Sequence, residues 1–295
     1  MRFAVLLFLA ACGNAEPTVD IEPSSLDELR FAIVGDTRPI NEDDTANYPT
    51  AVITAIWDDV ARESPRPPFA LSTGDYMNAS PNGHEQDPQL DLYLGARMHF
   101  DAPVYAAMGN HECTGSTVSN CGEGSSDGVT RNYTSFVDRM AKPLGVDRPW
   151  YAVHLGATDG SWTAKIVVVA ANAWSDEQAR WLDDALAQPT TYTFVVRHEP
   201  HQATAVAGVD ASAAILAKHP LTLLVTGHVH TYAHYPESRE VMIGNGGAPL
   251  TGAIDYGYAI VFRRPDGAIE LTAYDYQTRA VIDHFAITAD GAPAP

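Results

Sequence analysis

The chain has few basic residues and, after its N-terminus, no long hydrophobic run. Lys and Arg together number 18, against 37 Asp and Glu, which gives a net charge of −19 over 295 residues. A nucleic-acid backbone is bound through clustered Lys and Arg, so this balance excludes a broad nucleic-acid interface but not a small nucleotide ligand. An apolar share of 45% is typical of a protein with a substantial core. The sequence shows no internal repeat.

The N-terminus looks like a secretory signal. Arg2 precedes the apolar run 3–11, which is too short to span a bilayer as a helix. The segment LAAC at 9–12 resembles a bacterial lipobox, which predicts cleavage before Cys12 and a lipid on its thiol; an ordinary signal peptide is the alternative. We therefore predict an exported bacterial lipoprotein, periplasmic or outer-surface, with a signal peptide over 1–11, a lipidated Cys12 and flexible tether over 12–27, and a single domain over 28–290.

The chain has three cysteines, and two of them remain once Cys12 carries lipid. Cys113 and Cys121 form an even pair within one Gly/Ser-rich loop. In an exported, oxidising setting such a pair predicts a disulfide, which would close this loop and limit its motion. Two free thiols are the alternative.

Apolar runs of strand type alternate with helical patterns over most of the chain, and the C-terminal part is purely β. Early predicted strands are 31–34, 69–72 and 104–108, and early predicted helices are 50–63 and 90–100. This order predicts two facing sheets flanked by helices. The candidate ligands extend from Asp36 to His230, so one site spans most of the chain and a single catalytic domain is expected.

Polar clusters follow the predicted strands, at the edge where parallel strands present a ligand crevice. The ligand-type side chains in these clusters are Asp36, Asp75, Asn110, His198, His228 and His230. Carboxylate oxygens can bridge two cations and screen their repulsion. Mixed nitrogen and oxygen donors without thiolate suit Zn, Mn or Fe. We therefore predict two divalent or trivalent metal ions.

The order of these clusters resembles the calcineurin-like metallophosphoesterase superfamily. Its blocks are D-x-H, G-D, G-N-H-[DE], a lone His and G-H-x-H, and the last four match 74–75, 109–112, 198 and 227–230. A glycine-rich segment over 244–249 is also similar. The resemblance covers roughly residues 30–250. It implies an α/β fold with the four-layer α/β/β/α sandwich of two mixed sheets flanked by helices.

The resemblance also implies a role for each matching residue. Asp75 would bridge both metals, Asp36 and His230 would bind the first, and the second would be bound by Asn110, His198 and His228. A hydroxide bridging the metals would attack phosphorus in line. His111 would protonate the leaving alkoxide as general acid, or alternatively would only orient its neighbours.

Arg38 departs from the family pattern, because it stands where the first block has a metal-binding His. A guanidinium cannot ligate a cation and is repelled by it. Three alternatives follow: two metals with Arg38 gripping the substrate phosphate, a single strongly bound metal with the first bound weakly, or lost catalysis. Tyr76 and His201 are weaker candidates for substrate contact. Asn78 occupies the position of the iron-binding Tyr of purple acid phosphatases, so we expect no purple chromophore.

These patterns predict an exported metallophosphoesterase acting on a small phosphorylated substrate, attached to the membrane only through its lipid. Phosphomonoester hydrolysis is favoured, because Arg38 could clamp a dianionic phosphoryl group. One alternative is a phosphodiesterase acting on a nucleotide or lipid headgroup. Another is a catalytically silent cell-surface binding domain with one weakened metal site.

Overall fold

The computed structural model describes residues 20–252 and 254–295, which form two β-sheets with helices on their outer faces. The strands are β1 (Asp20–Leu26), β2 (Arg30–Val34), β3 (Ala70–Ser72), β4 (Val104–Ala106), β5 (Tyr151–Ala157), β6 (Thr163–Val169), β7 (Tyr192–Arg197), β8 (Leu223–Thr226), β9 (Tyr232–Tyr235), β10 (Glu240–Ile243), β11 (Gly257–Arg263), β12 (Ile269–Asp275) and β13 (Val281–Ile287). The α-helices are α1 (Thr50–Ala61), α2 (Gln86–Arg97), α3 (Arg131–Phe136), α4 (Asp176–Ala187) and α5 (Ala207–Leu216). The predicted signal peptide and Cys12 lie outside the described residues.

Both sheets are mixed, as the resemblance implied. The seven-stranded sheet has the order β1-β5-β6-β7-β8-β10-β9, and the six-stranded sheet has the order β13-β12-β11-β2-β3-β4. In the first sheet β6, β7, β8 and β10 are parallel, and in the second β2, β3 and β4 are parallel. The predicted sandwich of two mixed sheets flanked by helices is therefore confirmed.

The main core lies between the two sheets. Phe31 of the six-stranded sheet meets Phe194 of the seven-stranded sheet edge to face, with ring centroids 5.2 Å apart. Helices bury the outer faces, so that Trp57 of α1 packs against the six-stranded sheet and Leu182 of α4 against the other. Strands covered on both faces need apolar residues throughout, which explains the continuous run FAIV in β2.

Residues 20–26 correct the predicted tether, because they form the edge strand β1. This strand pairs in parallel with β5, from Asp20 opposite Ala152 to Leu26 opposite Ala157. Its sequence DIEPSSL has little strand character. The pairing satisfies backbone groups that the edge of β5 would otherwise leave open, and such pairing leaves little trace in an amino-acid pattern.

The connections at the carboxyl ends of the parallel strands converge on one edge of the sandwich. The loops after β2, β3 and β4 come from one sheet, and those after β7, β8 and β10 come from the other. Within the described residues, no helix is both long enough and apolar enough to cross a membrane.

Candidate metal centre

Backbone hydrogen bonds join the loops that carry the predicted ligands. Asp36 N–H donates to the Gly74 carbonyl (3.1 Å) and Thr37 N–H to that of Asp75 (2.9 Å). Across the two sheets, the N–H of His228 donates to Oδ1 of Asp36 (2.9 Å). Asp36, Asp75 and His228 all have φ between 58° and 73°, a region that non-glycine residues adopt rarely, although Asp and His adopt it more often than most. The loops are thus held in one strained arrangement that turns these side chains inward.

Two motif glycines allow the loops to close around the carboxylates. A Cβ at Gly227 would lie 2.2 Å from Oδ2 of Asp36, and one at Gly109 would lie 2.3 Å from Oδ1 of Asp75. Any larger residue would push the carboxylate away, which gives a physical reason for the glycine in both motifs.

Four side-chain atoms converge at the predicted second metal position. Nε2 of His198 lies 3.2 Å from Oδ1 of Asp75 and 3.2 Å from Oδ1 of Asn110. Nδ1 of His228 lies 3.0 Å from the same Asn110 oxygen and 3.3 Å from Nε2 of His198. The structure therefore brings all four predicted ligands of this position together.

The protonation pattern of this cluster fits a cation. Nδ1 of His198 lies 2.8 Å from the Thr73 carbonyl, so it carries the proton and leaves Nε2 with a free lone pair. Nδ2 of Asn110 donates to the Gly115 carbonyl (3.0 Å), so its Oδ1 is the atom turned inward. Lone pairs of His198, Asn110 and Asp75 thus point at one another without a hydrogen between them. A metal ion satisfies all of them at once.

The predicted first metal position contains Asp36, Asp75 and His230, whose ligand atoms all lie within 4.8 Å of one another. Nδ1 of His230 lies 2.7 Å from the Pro249 carbonyl, which leaves Nε2 free to ligate. Arg38 lies at this same position, with Nε 3.4 Å from Oδ2 of Asp75. The carboxylate predicted to bridge the metals is therefore ion-paired to the residue that replaces a ligand.

Burial shifts the pKa values of the histidines so that they are in their neutral, ligating form. It lowers the pKa of His198 to about 4 and also lowers the pKa values of His228 and His230, so the imidazoles are neutral at pH 7. Burial opposes ionisation of Asp75, yet His198, His111 and Arg38 hold its pKa below the usual range.

Asp36 has the opposite shift, because burial and then the charge of Asp75 raise its pKa well above the ordinary value. A cation between the two carboxylates offsets both causes. The donor set at the first position therefore also fits a metal, although Arg38 adds a positive charge beside it.

His111 lies beside the bridging carboxylate. Its Nε2 is 3.9 Å from Oδ2 of Asp75, and its backbone N–H donates to Oδ1 of the same residue (3.2 Å). The Asn132 amide holds the His111 carbonyl (2.9 Å), while His111 Nδ1 is buried without a hydrogen-bond partner among the described residues. Burial lowers the pKa of His111 to about 4. The ring is placed to exchange a proton with a group bound at the metal centre.

Glu112 is a site residue whose role the sequence did not reveal. This fully buried carboxylate accepts backbone N–H groups from both ligand loops: those of Asp75 (2.8 Å), Tyr76 (2.8 Å) and Met77 (3.2 Å) in one, and that of Gly109 (2.8 Å) in the other. Its only sequence signal is the acidic end of G-N-H-[DE]. The carboxylate locks the loop of the bridging Asp75 onto the loop of Asn110 and His111.

The structure places the side chains of the two weaker substrate candidates, Tyr76 and His201, apart from the predicted ligands. Tyr76 is fully buried in the core, where its ring packs 4.7 Å from that of Tyr93 and its hydroxyl reaches the Ser72 carbonyl. His201 pairs with Glu240 (2.5 Å) and lines a separate cavity of about 390 Å³ that contains none of the predicted ligands. Proximity in sequence to Asp75 and His198 did not bring either side chain to the metal centre.

The predicted disulfide between Cys113 and Cys121 is confirmed. Both residues are fully buried, with Cα atoms 5.7 Å apart. The loop that they close begins directly after Asn110, His111 and Glu112. It therefore lies beside the second metal position.

Residues 29–232 match the calcineurin-like phosphoesterase family. This is more than half of the chain, and the chain belongs to that family of hydrolases acting on phosphate esters. The sequence expectation of a metallophosphoesterase is thereby confirmed, and a metal requirement is typical of the family.

Solved structures with the same fold include the purple acid phosphatase PPD1 from yellow lupin (Lupinus luteus), at 17% identity and a TM-score of 0.62 over 92% of this chain. This chain spans 57% of the lupin protein. GAP50, the anchor in the inner membrane complex of Plasmodium, is 14% identical with a TM-score of 0.55, over 90% of each chain. No curated protein sequence matches the chain.

Proposed function

We propose that this protein is a metal-dependent phosphomonoesterase. The convergence of the His198 Nε2, Asn110 Oδ1 and Asp75 Oδ1 lone pairs carries the proposal, because no hydrogen lies between them and a cation satisfies all three at once. When bound, two metal ions of the Zn, Mn or Fe type supply a hydroxide nucleophile and stabilise the charge on the phosphoryl oxygens.

Arg38 supports a monoester in preference to a diester. Its guanidinium lies at the first metal position, where Nε approaches the bridging carboxylate and Nη1 donates to the Pro39 carbonyl (3.1 Å). A phosphomonoester dianion spreads two negative charges over three terminal oxygens, and a pair of these matches the planar fork of a guanidinium. A diester has one negative charge and a second bulky substituent, so it gains less from Arg38.

His111 is proposed to give its proton to the leaving alkoxide. Its lowered pKa favours the neutral ring in the free protein. A phosphate dianion bound next to the ring favours the imidazolium, because an opposite charge at close range raises the pKa of an imidazole. Proton donation is thus coupled to substrate binding.

Metal-reconstituted protein and two chromogenic esters test the proposal. We expect hydrolysis of p-nitrophenyl phosphate with a larger kcat/KM than that of bis(p-nitrophenyl) phosphate, and loss of activity after chelation. A larger value for the diester would reverse the substrate class. Absence of hydrolysis by protein that carries two metal equivalents would overturn the catalytic proposal.

The second candidate is a catalytically silent binding domain at the cell surface. The ion pair of Arg38 with Asp75 favours it, because this pair neutralises the carboxylate that the first metal needs. GAP50, described as an anchor, shares the fold. Metal analysis separates the two functions: the silent domain is expected to bind at most one equivalent and to hydrolyse neither ester.

We further propose that the protein is exported and anchored through Cys12. The apolar run 3–11 and the segment LAAC at 9–12 support this, and a buried disulfide suits an oxidising compartment. Mass spectrometry of protein made in a bacterial host is expected to show an N-terminal diacylglycerol-cysteine. An intact N-terminus at Met1 would contradict the proposal.

A further inference from the structure

The amide of Asn110 is oriented by the loop that the Cys113–Cys121 disulfide closes. Its Nδ2 donates to the carbonyl of Gly115 (3.0 Å), which lies inside this loop, while its Oδ1 faces the second metal position. Rotation of the amide by half a turn would present Nδ2 to the metal, and an NH₂ group has no lone pair for a cation. The Gly115 carbonyl therefore selects the ligating orientation.

The near end of the loop is wrapped around the backbone of Asn110. The Asn110 carbonyl accepts the N–H groups of Cys113 (3.1 Å), Thr114 (3.1 Å) and Gly115 (2.8 Å). Gly115 has φ +81°, which a glycine adopts without strain, and a Cβ there would lie 3.6 Å from Nδ1 of His111. The same turn thus hydrogen-bonds to the metal ligand and lies next to the ring of the proposed proton donor.

The far end of the loop is held by Asn172, which follows β6 and is fully buried. Its carbonyl accepts the N–H of Cys121 (2.8 Å), and its Oδ1 accepts the hydroxyl of Ser119 (3.2 Å). Its Nδ2 donates to the carboxylate of Glu199, the residue directly after the ligand His198. Asn172 therefore connects the loop to the opposite side of the second metal position.

We propose that the disulfide-closed loop 113–121 and Asn172 form a brace that sets the geometry of the second metal position. Asn172 and the disulfide act as positioning residues, since they reach the metal only through the ligands Asn110 and His198, the latter by way of its neighbour Glu199. Covalent closure restricts the conformations of the loop and keeps the Gly115 carbonyl on the Asn110 amide. The inference rests on the proposed function in one respect, namely that Asn110 and His198 are metal ligands.

The brace makes metal affinity sensitive to reduction of the disulfide. Partners that orient a metal ligand typically change affinity by about 10–100-fold when they are lost. Without the disulfide, the Gly115 carbonyl can leave Asn110, and the amide is free to rotate. We expect weaker binding at the second position while the two sheets remain folded.

The test compares zinc affinity of the metal-free full chain with that of a C113A/C121A variant, each with and without a phosphine reductant. We expect the reductant to weaken zinc binding by wild-type protein by about 10-fold or more and to leave the variant, already weakened, unchanged. The matching variant Asn172→Ala keeps the disulfide and is expected to bind zinc more weakly as well. Circular dichroism verifies that each protein is folded.

Thr222→Ala is the matched control. Thr222 is buried, and its hydroxyl makes hydrogen bonds with Thr193 and Ala289 that alanine would remove. It lies at the end of β8 opposite to the ligands. The zinc affinity of the Thr222→Ala protein is expected to equal that of wild type. Equal affinity in wild type, C113A/C121A and Asn172→Ala would overturn the brace and leave the proposed function intact. Failure of wild-type protein to bind zinc, manganese or iron would instead remove the proposed function.

Discussion

The two metal positions share the carboxylate of Asp75 but differ in their remaining partners. At the second position the facing atoms of Asn110, His198 and His228 lie within 3.3 Å of one another. Hydrogen bonds to the Gly115 and Thr73 carbonyls orient Asn110 and His198. At the first position the ligand atoms of Asp36, Asp75 and His230 lie within 4.8 Å of one another, and Arg38 contributes a positive charge. The comparison leads us to expect that one position has a full ligand set, while Arg38 lowers the metal affinity of the other.

The difference between the two metal positions is tested most strongly by removing one histidine from each. His228→Ala is expected to lower metal affinity and kcat by more than about 100-fold, because it deletes a ligand of the complete site. His230→Ala, two residues away in sequence, is expected to have the smaller effect, since Arg38 is expected to weaken its position. Elemental analysis and ester hydrolysis measure both. Equal losses in the two variants would contradict the asymmetry.

Removal of the proton donor tests the centre that both positions share. His111→Gln is expected to lower kcat by about 10²–10⁴-fold for an alkyl monoester, because the alkoxide then leaves without a proton. The loss for p-nitrophenyl phosphate should be smaller, since nitrophenolate leaves readily, and metal content should stay unchanged. An equal loss for both substrates would show that His111 only orients its neighbours.

Exchange of Arg38 tests whether this residue lowers the metal affinity of the first position. Arg38→His supplies the missing imidazole and is expected to raise the metal affinity of the first position by about 10-fold or more. Arg38→Met is the control that removes the charge without adding a ligand. If Arg38 also clamps phosphate, both variants raise KM for the monoester. Unchanged metal affinity and KM in both would make Arg38 irrelevant to the site.

The smallest expected effect is on how the free energy of unfolding of the metal-free protein depends on pH. Burial lowers the pKa of His198 and of His111 to about 4, whereas an unfolded chain has an ordinary value of 6.5. Between these values the unfolded state binds more protons, so the free energy of unfolding decreases as pH falls from 6.5 to 4, by about 1.4 kcal/mol per pKa unit for each group. Urea unfolding at several pH values measures this.

His198→Asn is the control for the pH series. It is expected to flatten the decline, because Asn at this position does not titrate. A decline as steep in the variant as in wild-type protein would show that other groups cause it.

The ligand motifs could be read from the sequence because each is local. Asp36, Asp75, Asn110 and His228 follow predicted strands directly, and parallel strands bring their carboxyl ends to one edge. The fold followed from the same residues by resemblance. The side chains of Tyr76 and His201 lie apart from the ligands, because closeness in sequence does not fix the direction of a side chain.

Two features that the sequence did not predict, strand β1 and the role of Glu112, lack such a local pattern. Strand β1 carries little apolar alternation, and its place depends on the open edge of β5. Glu112 looks like the end of a motif, while its four N–H partners belong to loops that only the fold brings together.

The sequence by itself determined the family, the order of the ligands and the departure at Arg38, since these depend on residue type and spacing. Only the tertiary structure decided which atoms face the metals, because that depends on hydrogen bonds between distant segments. The Thr73 carbonyl sets the free nitrogen of His198, and the Gly115 carbonyl sets the free oxygen of Asn110. Backbone carbonyls leave no mark in an amino-acid sequence, so their positions emerge only when the chain is folded.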